Sequence, residues 1–308
     1  MPDLPVLLAE GAARVVDHGA GPTSDLPVLF VPSLVNRAYI LDLMPGQSML
    51  RWLAAQGGVR PLLLDWGWPG AAERTFTLTD HIAGRLERFL VALPGPVVLA
   101  GYCMGGLLTL AAALRRPDRV RALALLATPW DFHAADAPAA IALGAALPLF
   151  EPMLQATGAL PIDALQTMFA GLEPGGIARK FRHFGTLDQA SPAAARFVAL
   201  EDWLNDGVPL AAPVARETIG GWYGANTPAR GEWRVAGQEI RPETLDMPCF
   251  VAVPGRDRIV PPASALALAG MISGAVVHRP ASGHIGMAAG PRAEAALWGP
   301  LLGWLRSL

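Results

Sequence analysis

This sequence predicts an α/β fold: a mostly parallel central sheet with helices on both faces and one helical insertion. Three observations predict it. Short Val-, Leu- and Ala-rich runs alternate with amphipathic stretches at the two ends of the chain, the order that builds a parallel sheet from strands and covering helices. Most of these runs are apolar at every position, as strands must be when both faces are covered. Between residues 131 and 238 the strand rhythm stops, and Pro, Gly, Phe and Trp are scattered through weakly amphipathic segments such as 193–204.

The first expected strand spans 28–31 and ends at Pro32. A helix over 48–56, closed by Gly57, leads to a strand at 61–65. Residues 89–114 contain no charge and are long enough to cross a bilayer. Pro94, Gly95, Pro96, Gly101, Gly105 and Gly106 instead divide that run into a strand at 97–102, a corner and a helix at 104–115 that stops before Pro117. A strand at 122–127 precedes the insertion, strands at 249–253 and 275–279 follow it, and a closing helix over 291–305 is interrupted at Gly299-Pro300. The chain thus divides into a core of 1–130 and 239–308 and a helical cap (lid) of 131–238. Such an insertion is expected over the carboxyl ends of the strands, where open α/β sheets bind ligands. Within it, residues 137–150 are uncharged but interrupted by Pro and Gly, and are expected to form buried cap core rather than a membrane span.

A length of 308 residues suits one large domain or two ordinary ones without disulfides or metals. The chain is 52% apolar and only 16% charged, so some apolar surface is expected to stay exposed. Its formal charge of −2 and the absence of a Lys/Arg run argue against a nucleic-acid partner, which needs a concentrated basic face. Cys103 and Cys249 make neither a CxxC metal site nor a disulfide framework, so a reduced cytoplasm is the expected setting. The opening MPDLPVLLAEG has no basic leader and too short an apolar run for a secretion signal.

The stretch GYCMGG, residues 101–106, joins the strand at 97–102 to an Ala/Leu-rich helix, the strand, sharp turn and helix that G-x-S-x-G motifs require. Gly101 and Gly105 lack side chains where strand and helix must approach closely, which leaves Cys103 displayed at a strained corner. A thiol there also lies at a helix N-terminus, whose partial positive charge favours thiolate. A nucleophile of this kind needs a histidine base, and the histidine needs an acid that fixes its tautomer. Asp257 follows the strand at 249–253 and His284 follows the strand at 275–279. Nucleophile, acid and histidine therefore stand at carboxyl ends of strands in the chain order of the α/β-hydrolase fold. Taken singly, Asp257 could be a turn former capping the helix that starts near Pro262, and His284 an ordinary loop histidine; their joint order favours catalysis. Asp131 is the rival acid, and His133 follows the same strand end. His18, His81, His183 and His278 are expected at surface or strand-edge positions, with no metal-ligand spacing among them. The oxyanion hole should combine the backbone N–H of Met104 with that of Leu34 or Val35 in the loop after the first strand.

These residues resemble the polyhydroxyalkanoate synthases, in particular the short catalytic subunits of the two-component class. The resemblance is carried by Leu34-Val35-Asn36-Arg37 with Tyr39-Ile40-Leu41-Asp42-Leu43, by Asp65-Trp66-Gly67 and by the box at 101–106. Thr128-Pro129 with Asp131-Phe132, Asp257 with Ile259-Val260-Pro261-Pro262, and Ser282-Gly283-His284-Ile285 complete it. The resemblance implies that Cys103 carries the acyl group, that His284 is the base, and that Asp257 is its partner or activates the incoming hydroxyl. Arg258 departs from the family, which usually has His after the catalytic Asp; the region before the first motif is shorter than in the single-subunit class, and the alanine-rich cap diverges most.

The implied activity is polymerisation of (R)-3-hydroxyacyl-CoA with release of CoA. Transfer from a CoA thioester to Cys103 gives another thioester, so the acyl group keeps its activation for a weak hydroxyl acceptor. Water would discharge the same intermediate, so synthesis also requires a dry cap. No P-loop, dinucleotide fingerprint or ligand cluster implies a nucleotide or metal cofactor; CoA enters as the substrate's thioester. The expected partners are hydroxyacyl-CoA, the growing polyester, and a second synthase subunit or a second copy of the chain, with no transmembrane segment, in the cytoplasm at the polymer granule surface. Two competing expectations are a cysteine-nucleophile hydrolase (thioesterase, esterase or polyhydroxyalkanoate depolymerase) and a non-catalytic granule-associated protein.

Overall fold

The computed structural model describes residues 4–171 and 175–308, so the first three residues of the N-terminal run read above lie outside the described residues. Eight strands form one sheet: β1 (Val6–Glu10), β2 (Ala13–Asp17), β3 (Leu26–Val31), β4 (Val59–Asp65), β5 (Val97–Tyr102), β6 (Val120–Leu126), β7 (Cys249–Ala252) and β8 (Val276–His278). Their spatial order is β1-β2-β4-β3-β5-β6-β7-β8. From β4 to β8 all neighbours pair in parallel, while β2 runs antiparallel to both β1 and β4.

The uniformly apolar strands serve two cores, and alternate residues are divided between them. Leu29 and Val31 of β3 join Val97 and Leu99 of β5 on one face, whereas Val28 and Phe30 join Val98, Ala100 and Tyr102 on the other. The first face is covered by α2 (Glu87–Ala92, continuing a wider-turned segment Asp80–Leu86), α3 (Met104–Arg115) and the late helix Pro262–Met271. The second is covered by α1 (Met49–Ala55) and by the closing segments Glu294–Trp298 and Gly299–Leu305, which meet at the expected interruption. Ser48 caps α1 by accepting the Arg51 N–H at 3.1 Å. The uncharged run 89–114 becomes the tail of α2, then β5, a corner and α3.

The β1–β2 hairpin was not expected. β1 is half exposed, with Val6 49% and Leu7 37% accessible, so it lacks the buried alternation that marks a strand. Its signature is the two-residue turn Gly11-Ala12, where Gly11 has φ +57°. The hairpin also corrects the expectation for His18, which is 6% exposed because β2 carries it onto Asp42, where its Nε2 donates to Oδ2 at 3.1 Å.

His81 is likewise buried rather than superficial, set edge-on against Trp66 at 5.3 Å and Phe76 at 5.5 Å between ring centroids. Burial, then the nearby Arg85 charge, pushes its pKa down to about 4. The unfolded chain then takes up the proton first, so stability is complete above the unfolded value of ~6.5 and falls as pH drops towards the folded value. A His81→Phe variant should show a smaller loss of urea midpoint between pH 7 and pH 4.5 than the parent, by up to ~3 kcal/mol in unfolding free energy. Equal losses in the two proteins would refute this assignment.

Between β6 and β7 the described chain is mainly helical: α4 (Ala137–Ala145), α5 (Leu147–Thr157), α6 (Ile162–Gly171), α7 (Gly176–Phe184), α8 (Pro192–Asn205) and α9 (Ala212–Arg216, continued by Glu217–Gly224). Several bonds fasten it to the sheet's carboxyl edge. Trp203 Nε1 donates to the Arg37 carbonyl at 2.8 Å, Leu78 N–H donates to Glu217 Oε1 at 2.9 Å, and Gly207 bridges Asn36 in the loop after β3. Residues 137–150 are not buried core: Ile141 is 50% and Leu149 82% exposed. The reason is how α4 docks. A Cβ on Gly144 would lie 2.3 Å from Gly224 Cα, so α4 meets the continuation of α9 backbone to backbone through small residues, packs Leu143 against the core and turns Ile141 outward. Among the described residues no single helix is long and apolar enough to cross a membrane; α4 and α5 reach that length only together, bent by 45°.

Candidate active site

β5 delivers its last residue, Tyr102, into a corner at Cys103 and leaves it as α3. Cys103 has φ 58° and ψ −128°, a left-handed conformation that a non-glycine residue adopts only under constraint. The constraint is visible on both sides: Cys103 N–H donates to the Leu126 carbonyl at 2.9 Å, and its own carbonyl accepts from Gly106 N–H at 2.9 Å. Close approach explains the glycines. A Cβ at Gly105 would stand 2.0 Å from the Val31 carbonyl oxygen, and one at Gly101 2.4 Å from Gly106 Cα. Gly105→Ala is therefore expected to push β3 and α3 apart, lowering the unfolding free energy by about 2 kcal/mol or more in urea titrations. A neutral effect would contradict this packing.

The half-buried Cys103 contrasts with Cys249, which is also free but 2% exposed. Burial pushes the Cys249 thiol up to about 12 and makes it inert. Alkylation of the native protein should consume one thiol, at Cys103, and unfolding should release the second; two reactive thiols in the native state would contradict the assignment.

His284 opens a short helix, His284–Ala289, after β8. Its Nδ1 lies 2.7 Å from Asp257 Oδ2, and both side chains are buried. The other carboxylate oxygen, Asp257 Oδ1, accepts from Ile259 N–H at 2.9 Å and Val260 N–H at 2.8 Å. The carboxylate is thereby locked, and with Nδ1–H directed at Asp257 the Nε2 atom is left for the neighbouring Cys103. Burial alone would lower the His284 pKa. The ionised sulfur of Cys103 and the Asp257 carboxylate outweigh it and raise the group to about 10. At neutral pH the imidazole is thereby held as an imidazolium facing Cys103.

The rival acid is placed elsewhere. Asp131 Oδ1 accepts from Asn226 Nδ2 at 2.8 Å and from His133 N–H at 2.9 Å, while Asn226 Oδ1 accepts Phe132 N–H at 3.0 Å. Asp131 thus pins the strand end to α9's exit, and Asp257 is the carboxylate that reaches His284. His133 Nε2 donates to the Tyr223 carbonyl at 2.7 Å, which is a structural tether.

Loop 32–36 lies against the start of α3, since Ser33 Oγ contacts Met104 Sδ at 3.8 Å. Trp66 Nε1 anchors the loop by donating to the Pro32 carbonyl at 3.1 Å. Val35 N–H is already engaged, donating to Ser33 Oγ at 3.1 Å, whereas Leu34 N–H has no acceptor among the described residues. Of the two, Leu34 is therefore the residue whose N–H is unengaged.

Two tyrosines complete the surroundings, and sequence reasoning missed both. Tyr102 Oη donates to the His284 carbonyl at 3.3 Å, with its ring 5.0 Å from the imidazole. Tyr223, from α9, packs its ring 4.9 Å from Phe132. Burial, then the neighbouring Cys103 charge, raises its phenol to about 12, so it stays protonated. Tyr102 is the last residue of β5 and could have been found from the motif itself. Tyr223 has no local signal, because its approach to Cys103 depends on how the insertion folds back. No group of three or more His, Cys, Asp or Glu side chains able to hold a metal occurs among the described residues.

The sheet order, the corner and the His–Asp pair define an α/β-hydrolase-type site, and the family model described as alpha/beta hydrolase fold matches residues 53–291. The chain belongs to that family. Within it, the chain is similar to poly(3-hydroxyalkanoate) polymerase subunits PhaC: it is 28% identical over 291 residues to that of Haloferax mediterranei and 29% identical over 296 residues to that of Allochromatium vinosum. These matches cover 91% and 94% of this chain, and 58% and 82% of the respective relatives. Among solved structures, a hydrolase from Pseudomonas aeruginosa superposes with a TM-score of 0.59 at 18% identity, over 98% of each chain, which shows the shared fold.

Proposed function

We propose that this chain is a polyhydroxyalkanoate-synthase-type acyltransferase that polymerises (R)-3-hydroxyacyl groups from CoA thioesters through an acyl-Cys103 intermediate. The observation that carries the reading is a cysteine, rather than a serine, at the nucleophile corner of a chain whose likeness to named polymerase subunits extends over nine-tenths of its length. In the first half-reaction the Cys103 thiolate attacks the acyl-CoA carbonyl, and the oxyanion is held by the N–H groups of Leu34 and Met104. Collapse expels the CoA thiolate, which takes the proton from His284. The acyl enzyme is again a thioester, close in energy to the substrate.

Acylation also changes the base. The sulfur's negative charge disappears, and with it one of the main supports of the raised His284 pKa, while burial continues to disfavour the imidazolium. His284 therefore becomes a proton acceptor when the 3-hydroxyl of another unit arrives. It takes that proton, the oxygen attacks the thioester carbonyl, Cys103 leaves as thiolate, and the imidazolium is restored with one new oxyester bond. Steady-state turnover should rise with pH along a limb whose midpoint lies well below 10. A midpoint at about 10, the value for the resting pair, would refute the change of base strength.

Incubation with 3-hydroxybutyryl-CoA tests the reaction. CoA release accompanied by insoluble polymer is expected; an equivalent amount of free hydroxy acid would make the protein a thioesterase. Because relatives are named as subunits, we also propose that a second subunit joins this chain at the polymer surface in the cytoplasm, with the exposed Ile141 and Leu149 of α4 and α5 supporting contact with an apolar phase. Co-sedimentation with washed polymer granules, lost when both residues become serine, checks that placement.

A further inference from the structure

An acyl-CoA must be held as well as attacked, and most of its charge lies in a diphosphate and a ribose phosphate far from the reacting carbon. Two loops flank the Asp257–His284 pair: residues 254–258 after β7 and residues 279–283 after β8. They are laced together, Gly255 N–H donating to the Pro280 carbonyl at 2.8 Å and Arg256 N–H to the Ser282 carbonyl at 2.9 Å. This register sets Arg256, the residue before Asp257, against Ser282, two residues before His284. Arg279 begins the second loop, and both arginines are exposed.

Position singles them out: Arg196 and Arg292 also lack a carboxylate partner, but Arg256 and Arg279 stand on the two loops that flank the His–Asp pair. Arg51, Arg60, Arg85, Arg115 and Arg216 each hold a carboxylate. Neither Arg256 nor Arg279 makes a side-chain hydrogen bond or ion pair with a described residue, whereas Arg258 on the same loop has an interaction of its own. The carboxylate between them in sequence, Asp257, is buried and committed to His284. The rim beside the triad is therefore locally cationic in a chain whose formal charge is −2. Guanidinium forks suit phosphate oxygens, and an exposed cationic rim raises the local concentration of a polyanion.

We propose that Arg256 and Arg279 form a phosphate-recognition rim for the CoA portion of the thioester substrate, separate from the catalytic residues. The proposal rests on the acyltransferase reading, and its test separates the two. The parent and an Arg256→Ala/Arg279→Ala double variant are compared on 3-hydroxybutyryl-CoA and on the 3-hydroxybutyryl thioester of N-acetylcysteamine, which has no phosphate. With the CoA thioester, KM should rise roughly tenfold while kcat stays within about twofold. With the phosphate-free thioester neither constant should change, and the parent's KM for the CoA thioester alone should increase with salt. An unchanged KM, or equal losses on both substrates, would overturn the rim. Calorimetric binding of free CoA reads the rim without turnover: weaker binding by the variant supports it and equal binding overturns it. If the parent turns over neither thioester, the acyltransferase reading fails while CoA binding still decides the rim.

Discussion

Cys103→Ala is expected to abolish CoA release from a 3-hydroxyacyl-CoA, a loss of roughly 10⁵-fold or more in kcat. The remaining parts of the site cannot compensate, because the roles proposed for His284 and for the Leu34 and Met104 N–H groups require an acyl group already bonded to, or attacked by, a nucleophile. Alanine is sterically mild at this half-buried corner, although it keeps the left-handed backbone that Cys103 adopts at φ 58°, so the variant should fold and still bind CoA. Its native form should also resist alkylation, since Cys249 is buried. Cys103→Ser sharpens the point. It should accept an acyl group slowly as an oxyester and then stall, because the thioester activation needed for transfer to a hydroxyl has been lost. Release of CoA by Cys103→Ala at the parental rate would remove the proposed nucleophile altogether.

Asp257→Asn is expected to lower kcat by roughly 10⁴-fold with little change in overall fold. An asparagine can keep its Oδ1 on the N–H groups of Ile259 and Val260, which hold the parent carboxylate at 2.9 and 2.8 Å. Its amide then presents N–H to His284 Nδ1, where the carboxylate presented an acceptor at 2.7 Å. The imidazole must move its proton to Nε2, so the nitrogen facing Cys103 can no longer accept one. The loss of negative charge also removes a support of the imidazolium, so the pH profile should shift as well as fall. A decrease below tenfold with an unshifted profile would show that Asp257 is structural, leaving the base without its acid.

Legibility in the sequence followed how local each determinant is. The corner at 101–106 could be read because strand, turn and helix are contiguous, and because glycine is required where a Cβ would strike the Val31 carbonyl. Asp257 and His284 could be read because each lies in the loop after a strand, which places it at the sheet's carboxyl edge. The β1–β2 hairpin escaped because a half-exposed edge strand leaves little hydrophobic pattern, and His18 was misplaced with it. Residues 137–150 were expected inside because they are apolar, but helix α4 docks through Gly144 and leaves Ile141 outside.

The sequence by itself determined the class of fold, the glycine-lined corner at Cys103 and the chain order of Cys103, Asp257 and His284, since periodicity, glycine placement and strand ends are properties of short segments. Only the tertiary structure decided which carboxylate meets the imidazole, that Leu34 rather than Val35 has a free N–H, that Tyr223 packs against Phe132 near Cys103, and that the loops carrying Arg256 and Arg279 are laced together. Each of those depends on contacts between residues far apart in the chain, and no local pattern encodes the packing that brings them together.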